Sequence, residues 1–117
     1  MANGKYDLEP RTHDFALAVR RFVKNLPRNI ANIEDGKQLV RSSGSVAANY
    51  IEANEALSRK DFLMRIKICR KEAKESELWL KLCDITNDKD LETDKRSLLK
   101  EVLELRKIFS AIVEKSS

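Results

Sequence analysis

Apolar side chains in this sequence recur at alternating steps of four and three, and that rhythm constrains the fold more than any other feature. One series runs through Phe15, Val19, Phe22 and Leu26, and a second through Leu39, Ser43, Val46, Tyr50, Ala53 and Leu57. A third runs through Phe62, Ile66, Cys69, Ala73, Ser76, Leu80 and Cys83, and a fourth through Leu98, Val102, Leu105, Phe109 and Ile112. An α-helix turns once in 3.6 residues, so this spacing gathers each series on one face. No stretch alternates with period two for long enough to be a strand. The fold class expected is all-α, with helices at about 13–26, 33–56, 59–86 and 94–114. Short connections make neighbours antiparallel, which gives an up-down four-helix bundle. The expected domain covers residues 13–115, preceded by a loosely held arm over 1–12.

The ends of the helices carry their own signals. Pro27 closes the first, because its ring removes a donor and clashes with the preceding turn. Asn32 with Asp35, and Ser58 with Asp61, read as N-caps followed by an acid in the first turn. The polar run NDKDLETD, residues 87–94, joins the last two helices, with Thr93 as the expected cap.

The second series has a thin waist. QLVRSSGSVAANYIEANEA, residues 38–56, places Ser42, Ser43, Gly44, Ser45, Ala47 and Ala48 in mid-helix. Gly there costs roughly 1 kcal/mol relative to Ala, and the serines add to it. Close approach of a neighbouring helix would recover that loss.

Charge is unevenly spread over the 117 residues, which carry a net +4. Residues 1–30 hold six basic and three acidic side chains, and residues 58–83 hold eight and four. The segments 31–57 and 84–117 lean acidic. On the third helix Lys60, Lys67, Lys74 and Lys81 repeat every seven residues, with Lys71 nearby, opposite the core series. Arg20, Arg21, Lys24 and Arg28 form a second basic cluster near the end of the first helix. Either set could be a solvated face or a surface for nucleic acid. If several subunits repeat both sets around an axis, a large positive surface results. Binding would then run through phosphates, with weak sequence preference and a steep fall with salt. Few aromatic residues stand ready to stack bases, so structured RNA or duplex suits the pattern better than a bare single strand.

The lysine stripe turns apolar further along, at Leu78, Leu82 and Ile85, and on the fourth helix Leu99 and Leu103 also point away from the core series. Apolar groups clustered off the core mark a contact surface. These five residues are therefore the expected interface of a homo-oligomer.

The waist also carries a resemblance. The pattern L-x-R-S-S-x-S-V-x-x-N-x-x-E, with Leu39, Arg41, Ser42, Ser43, Ser45, Val46, Asn49 and Glu52, resembles the four-helix-bundle family of 23S rRNA intervening-sequence proteins. The likeness continues through the K-D-F start of the third helix and the segment ESELWL, Glu75 to Leu80. That family is similar to the accessory protein of diversity-generating retroelements. Members often have Gly after the glutamate, where this chain has Ala53. The resemblance implies a cytoplasmic bacterial protein that assembles as a homopentamer. For the accessory branch it implies binding to nucleic acid and to a reverse transcriptase. For most members it implies no established molecular function. Arg41, Ser45, Asn49 and Glu52 are read as structural members of the motif, with Asn49 and Glu52 bonding to a neighbouring helix or across a subunit boundary.

Catalysis finds little support. His13 has no second histidine to share a metal, and it lies beside Asp14 at an expected helix start, where capping or solvation is its role. Cys69 and Cys83 lie on the core series 14 residues apart, about 21 Å along a helix, too far to pair. They read as reduced apolar residues. Trp79 and Phe62 fall at helical spacings and read as packing. There is no glycine-rich phosphate loop, no cofactor is expected, no apolar run approaches the roughly 20 residues of a membrane span, and the first residues lack an apolar signal core. The expected function is a noncatalytic, cytoplasmic, oligomeric bundle whose basic surface binds nucleic acid or a nucleoprotein. The competing expectation is a protein–protein scaffold without nucleic-acid binding.

Overall fold

The computed structural model describes residues 7–116, and among them there are four helices and no strand. Helix α1 is Leu8–Lys24, α2 Ile30–Asn54, α3 Arg59–Leu82 and α4 Lys89–Ser116. Helix α2 packs along α3, α3 along α4, and α1 lies against both α2 and α4. The body measures 46 × 25 × 19 Å.

The 4–3 series form the core, as their spacing predicts. Phe15, Val19, Phe22, Leu39, Val46, Ile66, Cys69, Leu80, Val102, Leu105 and Phe109 are all buried. Tyr50, Phe62 and Ile112 are half-buried against that cluster, and Val113 takes the deeper place beside Ile112. Leu57 departs from its series and is 100% exposed. The cause is local: α2 ends at Asn54, so the helical register that would have turned Leu57 inward is broken before it is reached.

Three helix starts differ from the sequence expectation. Helix α1 starts at Leu8 rather than 13, because Leu8 and Thr12 are themselves core residues and the Thr12 hydroxyl donates to Leu8 O at 2.6 Å. The expected loose arm is thus helical from Leu8, and its residues 1–6 lie outside the described residues. Helix α2 is capped by Asn29, whose Oδ1 accepts from Asn32 N at 2.8 Å. Helix α4 begins at Lys89, with Asp88 Oδ1 accepting from Leu91 N at 3.0 Å, so Thr93 lies inside the helix and donates to Lys89 O. Ser58 caps α3 as expected, accepting from Asp61 N at 3.0 Å.

Asn32, expected as a cap, instead ties two ends together. Its amide donates to Pro27 O and Asp84 O, and its Oδ1 accepts from Asp84 N at 2.9 Å. Helix α3 stops at Leu82, short of the expected 86, and Cys83 is its C-cap. Lys95 of α4 closes that end, its ammonium donating to Lys81 O at 3.2 Å and Cys83 O at 2.8 Å, a cation against the negative end of the helix. Beyond it Thr86 takes φ 53°, the left-handed region that costs a β-branched residue about 1 kcal/mol or more.

The thin waist is where three helices meet. On the α3 side Ser42 Oγ and Ser76 Oγ lie 2.7 Å apart, both fully buried, and Cys69 Sγ donates to the α2 carbonyl of Val46 at 3.5 Å. On the α1 side a Cβ on Gly44 would sit 3.1 Å from Arg20 Nη2, and one on Gly36 would sit 3.0 Å from Val23 Cγ1. Small residues let α1 and α3 press against α2 at once.

Candidate nucleic-acid interface

The outer flank of α3 meets that of α4 in an open groove of about 700 Å³. From α3 come Lys67, Arg70, Lys71 and Lys74; from α4 come Arg106, Lys107, Leu103, Ser110, Ala111 and Glu114. Six cations thus face a single carboxylate. The α3 residues share the groove because 67, 70, 71 and 74 recur at three- and four-residue steps, away from the buried series Ile66, Cys69 and Ala73.

Not every cation in the groove is equally free. Arg106 donates to Glu77, which also pairs with Lys81 at 3.1 Å. Burial works to raise the Glu77 carboxyl, but the hydrogen bonds and charges of Lys81 and Arg106 outweigh it and hold it below the usual range. Arg106 is therefore half neutralised, whereas Lys67, Lys71 and Lys74 are exposed. Two members of the lysine stripe, Lys60 and Lys81, lie outside the groove lining.

The helix-one cluster is not brought to the same place. Arg20 folds back, donating to Ala16 O at 3.0 Å and to Val40 O of α2 at 3.4 Å. Lys24 and Arg28 border a separate hollow between α1 and α2, with Lys37 and Ile33. Arg21 is exposed. Sequence periodicity found Lys67, Lys71 and Lys74 but missed Arg70, Arg106 and Lys107. The adjacent pair Arg106–Lys107 is visible in the sequence, yet only the packing of α4 on α3 brings it to the lysines.

The polar residues of the waist motif serve packing. Arg41 reaches across to Glu75 at 3.0 Å and Glu72 at 3.3 Å, and Asn49 holds Ser45 through its amide while its Oδ1 accepts from Arg65 at 3.0 Å. Glu52 is exposed and enters no ion pair among the described residues. So Asn49 bonds to a neighbouring helix and Glu52 does not.

On the same side three apolar residues stay in solvent: Leu78 is 49%, Leu82 52% and Leu103 41% exposed. Ile85 and Leu99 differ from these, being half-buried against the core. The contacts of Arg106 with Glu77 and of Lys95 with Lys81 O set residues 77–81 of α3 level with 95–106 of α4. Leu78 and Leu82 thus lie at the end of the flank beyond the basic groove, whereas Leu103 lines the groove itself.

Cys69 and Cys83 are buried free thiols, pushed up by burial to about 12 and about 11 respectively. His13 lies within α1, solvent-facing beside Asp14. Among the described residues no three His, Cys, Asp or Glu side chains cluster as metal ligands, and no helix is long and apolar enough to cross a membrane.

Fold and groove together define a small all-α, four-helix protein with one basic flank. The chain belongs to the 23S rRNA-intervening sequence protein family, whose pattern it matches over residues 5–111. It is similar to a solved protein of unknown function from the S23 ribosomal protein family of Bacteroides thetaiotaomicron VPI-5482. The two are 28% identical, with a TM-score of 0.74, over 90% of this chain and 96% of that one. No curated protein matches the sequence.

Proposed function

We propose that this protein is a noncatalytic, antiparallel up-down bundle of the cytoplasm that assembles as a homo-oligomer and binds the phosphate backbone of structured RNA or duplex. The observation that carries the reading is the α3–α4 groove, where Lys67, Arg70, Lys71, Lys74 and Lys107, with Arg106 already paired to Glu77, share a lining whose one carboxylate is Glu114. A groove of this kind offers charge and few stacking surfaces, so it positions a backbone without reading bases. The antiparallel arrangement is supported by cross-ties between opposite ends, such as Arg59 at the start of α3 donating to Ser116 O at the end of α4. Five copies, the number that the family resemblance implies, would multiply the groove about an axis. A nucleoprotein containing a reverse transcriptase is then a partner class, its nucleic acid meeting the groove.

A salt titration of binding tests this. Each phosphate contact contributes a slope of about −0.9 for duplex DNA, so a subunit holding three phosphates gives roughly −3 in log K against log salt. The double change Lys67→Glu with Lys107→Glu should abolish the shift of duplex or hairpin RNA at ~50 mM salt. If the unaltered protein ignores both ligands at that salt, the nucleic-acid reading falls.

The exposed leucines favour a second reading, a protein–protein scaffold. Leu78, Leu82 and Leu103 are wet in a single subunit, and covering one fully contributes about 1.5–3 kcal/mol. Self-association accounts for them in both readings. A light-scattering mass near 13.5 kDa at tens of micromolar protein would remove it.

A further inference from the structure

We propose that the outward face of the first half of α3 is covered by a second copy of this chain, which brings to it the exposed corner at the end of α2. The inference rests on the self-association proposed above and names the two faces that would meet. On the first face Met64 is 45% exposed, and with Leu63 and Ile68 it floors an open hollow of about 650 Å³ edged by Lys60, Lys67 and Lys71, with Asp61 as its one carboxylate and Ser58 beside it. Lysine ion pairs among the described residues are those of Lys37 and Lys81, so these three stand without one.

The corner supplies what that face lacks. Ile51 is 49% and Leu57 100% exposed, and Glu52 and Glu55, both exposed, enter no ion pair among the described residues. Two apolar side chains flanked by two free carboxylates would meet three apolar side chains beside Lys60, the one cation of the hollow that the α3–α4 groove does not share, on a rim whose three ammoniums outnumber its single carboxylate, Asp61. Pairing this face of α3 with itself across a two-fold axis would set lysine against lysine, which charge repulsion opposes. Nucleic acid would satisfy the lysines but leave Met64 and Leu57 wet. A corner docked on a different face makes a head-to-tail contact, which closes into a ring where the rotation between copies allows and otherwise runs on as a filament. Lys60, which lies outside the α3–α4 groove, thereby gains a role.

Cross-linking tests the contact directly. Leu57→Cys and Met64→Cys chains, made separately with tags of different size, are mixed and mildly oxidised; the native thiols are buried. A disulfide joining position 57 of one chain to 64 of the other should exceed the 57–57 and 64–64 products. In parallel, Glu55→Lys and Lys60→Glu should each raise the concentration for half-assembly by roughly tenfold, and a chain carrying both should recover. If assembly persists without the 57–64 link and without recovery, this docking is wrong while self-association stands. If the unaltered chain is monomeric at every concentration, both fall together.

Discussion

The two helical glycines of α2 should respond differently to one added methyl group. Replacing Gly44 by Ala in mid-helix gains about 1 kcal/mol of helix propensity. The new Cβ would lie 3.1 Å from Arg20 Nη2, the far end of a flexible side chain. Moving that guanidinium by a few tenths of an ångström sacrifices only its exposed 3.4 Å bond to Val40 O and leaves the 3.0 Å bond to Ala16 O. Gly44→Ala should therefore stabilise by about 0.5–1 kcal/mol. Gly36 makes the same propensity gain, but its Cβ would lie 3.0 Å from Val23 Cγ1, with Cγ2 at 3.9 Å. Valine is stiff at χ1, so α1 itself must shift, and overpacking of this kind costs about 1–3 kcal/mol. Gly36→Ala should leave stability unchanged or lower it by up to about 2 kcal/mol. Urea unfolding followed by circular dichroism, at one fixed protein concentration because assembly adds to stability, reads both. A Gly44→Ala protein weaker by 1 kcal/mol or more, or a Gly36→Ala protein clearly stronger, would refute the account of how the waist is packed.

Other expectations follow from single sites. Asn32→Ala strands the Asp84 N–H and two carbonyls and should cost about 2–4 kcal/mol in the same urea assay, whereas a loss under 1 kcal/mol would mean the tie is ornamental. Cys69 and Cys83, pushed up by burial to about 12 and about 11, should resist a thiol reagent at pH 8 until urea unfolds the chain; rapid labelling of the folded protein would contradict their placement. Glu77 has a folded pKa below its ordinary 4.5, so its contribution is present above that value and lost as pH falls through the folded one. Glu77→Gln should cost about 1 kcal/mol at pH 7 and flatten the loss of stability between about pH 5 and 3; equal slopes in the two proteins would count against the pairing with Arg106 and Lys81.

What the sequence disclosed was the part governed by local repetition. Steps of four and three fix a helical face whatever lies against it, so Phe15 to Leu26, Ile66 to Leu80 and Leu98 to Phe109 could be placed before any packing was known. The misreadings share a cause. Asn32 has the chemistry of a cap, and nothing nearby in sequence reveals that Asp84, 52 positions away, comes to meet it. Leu57 continues its series on paper, but the helix has already ended at Asn54. The start of α1 was hidden because Leu8 and Thr12 look like a polar arm with one stray leucine, while the folded chain buries both. The groove was half legible for the same reason: Lys67, Lys71 and Lys74 declare themselves on one helix, and Arg106 with Lys107 only once α4 is docked.

A core built on a regular heptad rhythm has a weakness: sliding one helix by seven residues past its neighbour would match leucine to leucine almost as well. Asn32 makes that slip expensive, because a displaced α3 end would leave its buried amide without the Asp84 partners that satisfy it. Lys95 adds a second such pin at the same end, and Arg59 with Ser116 a third at the other. Grease supplies the cohesion of this molecule, while a handful of polar bolts choose which of several nearly equivalent alignments the chain adopts.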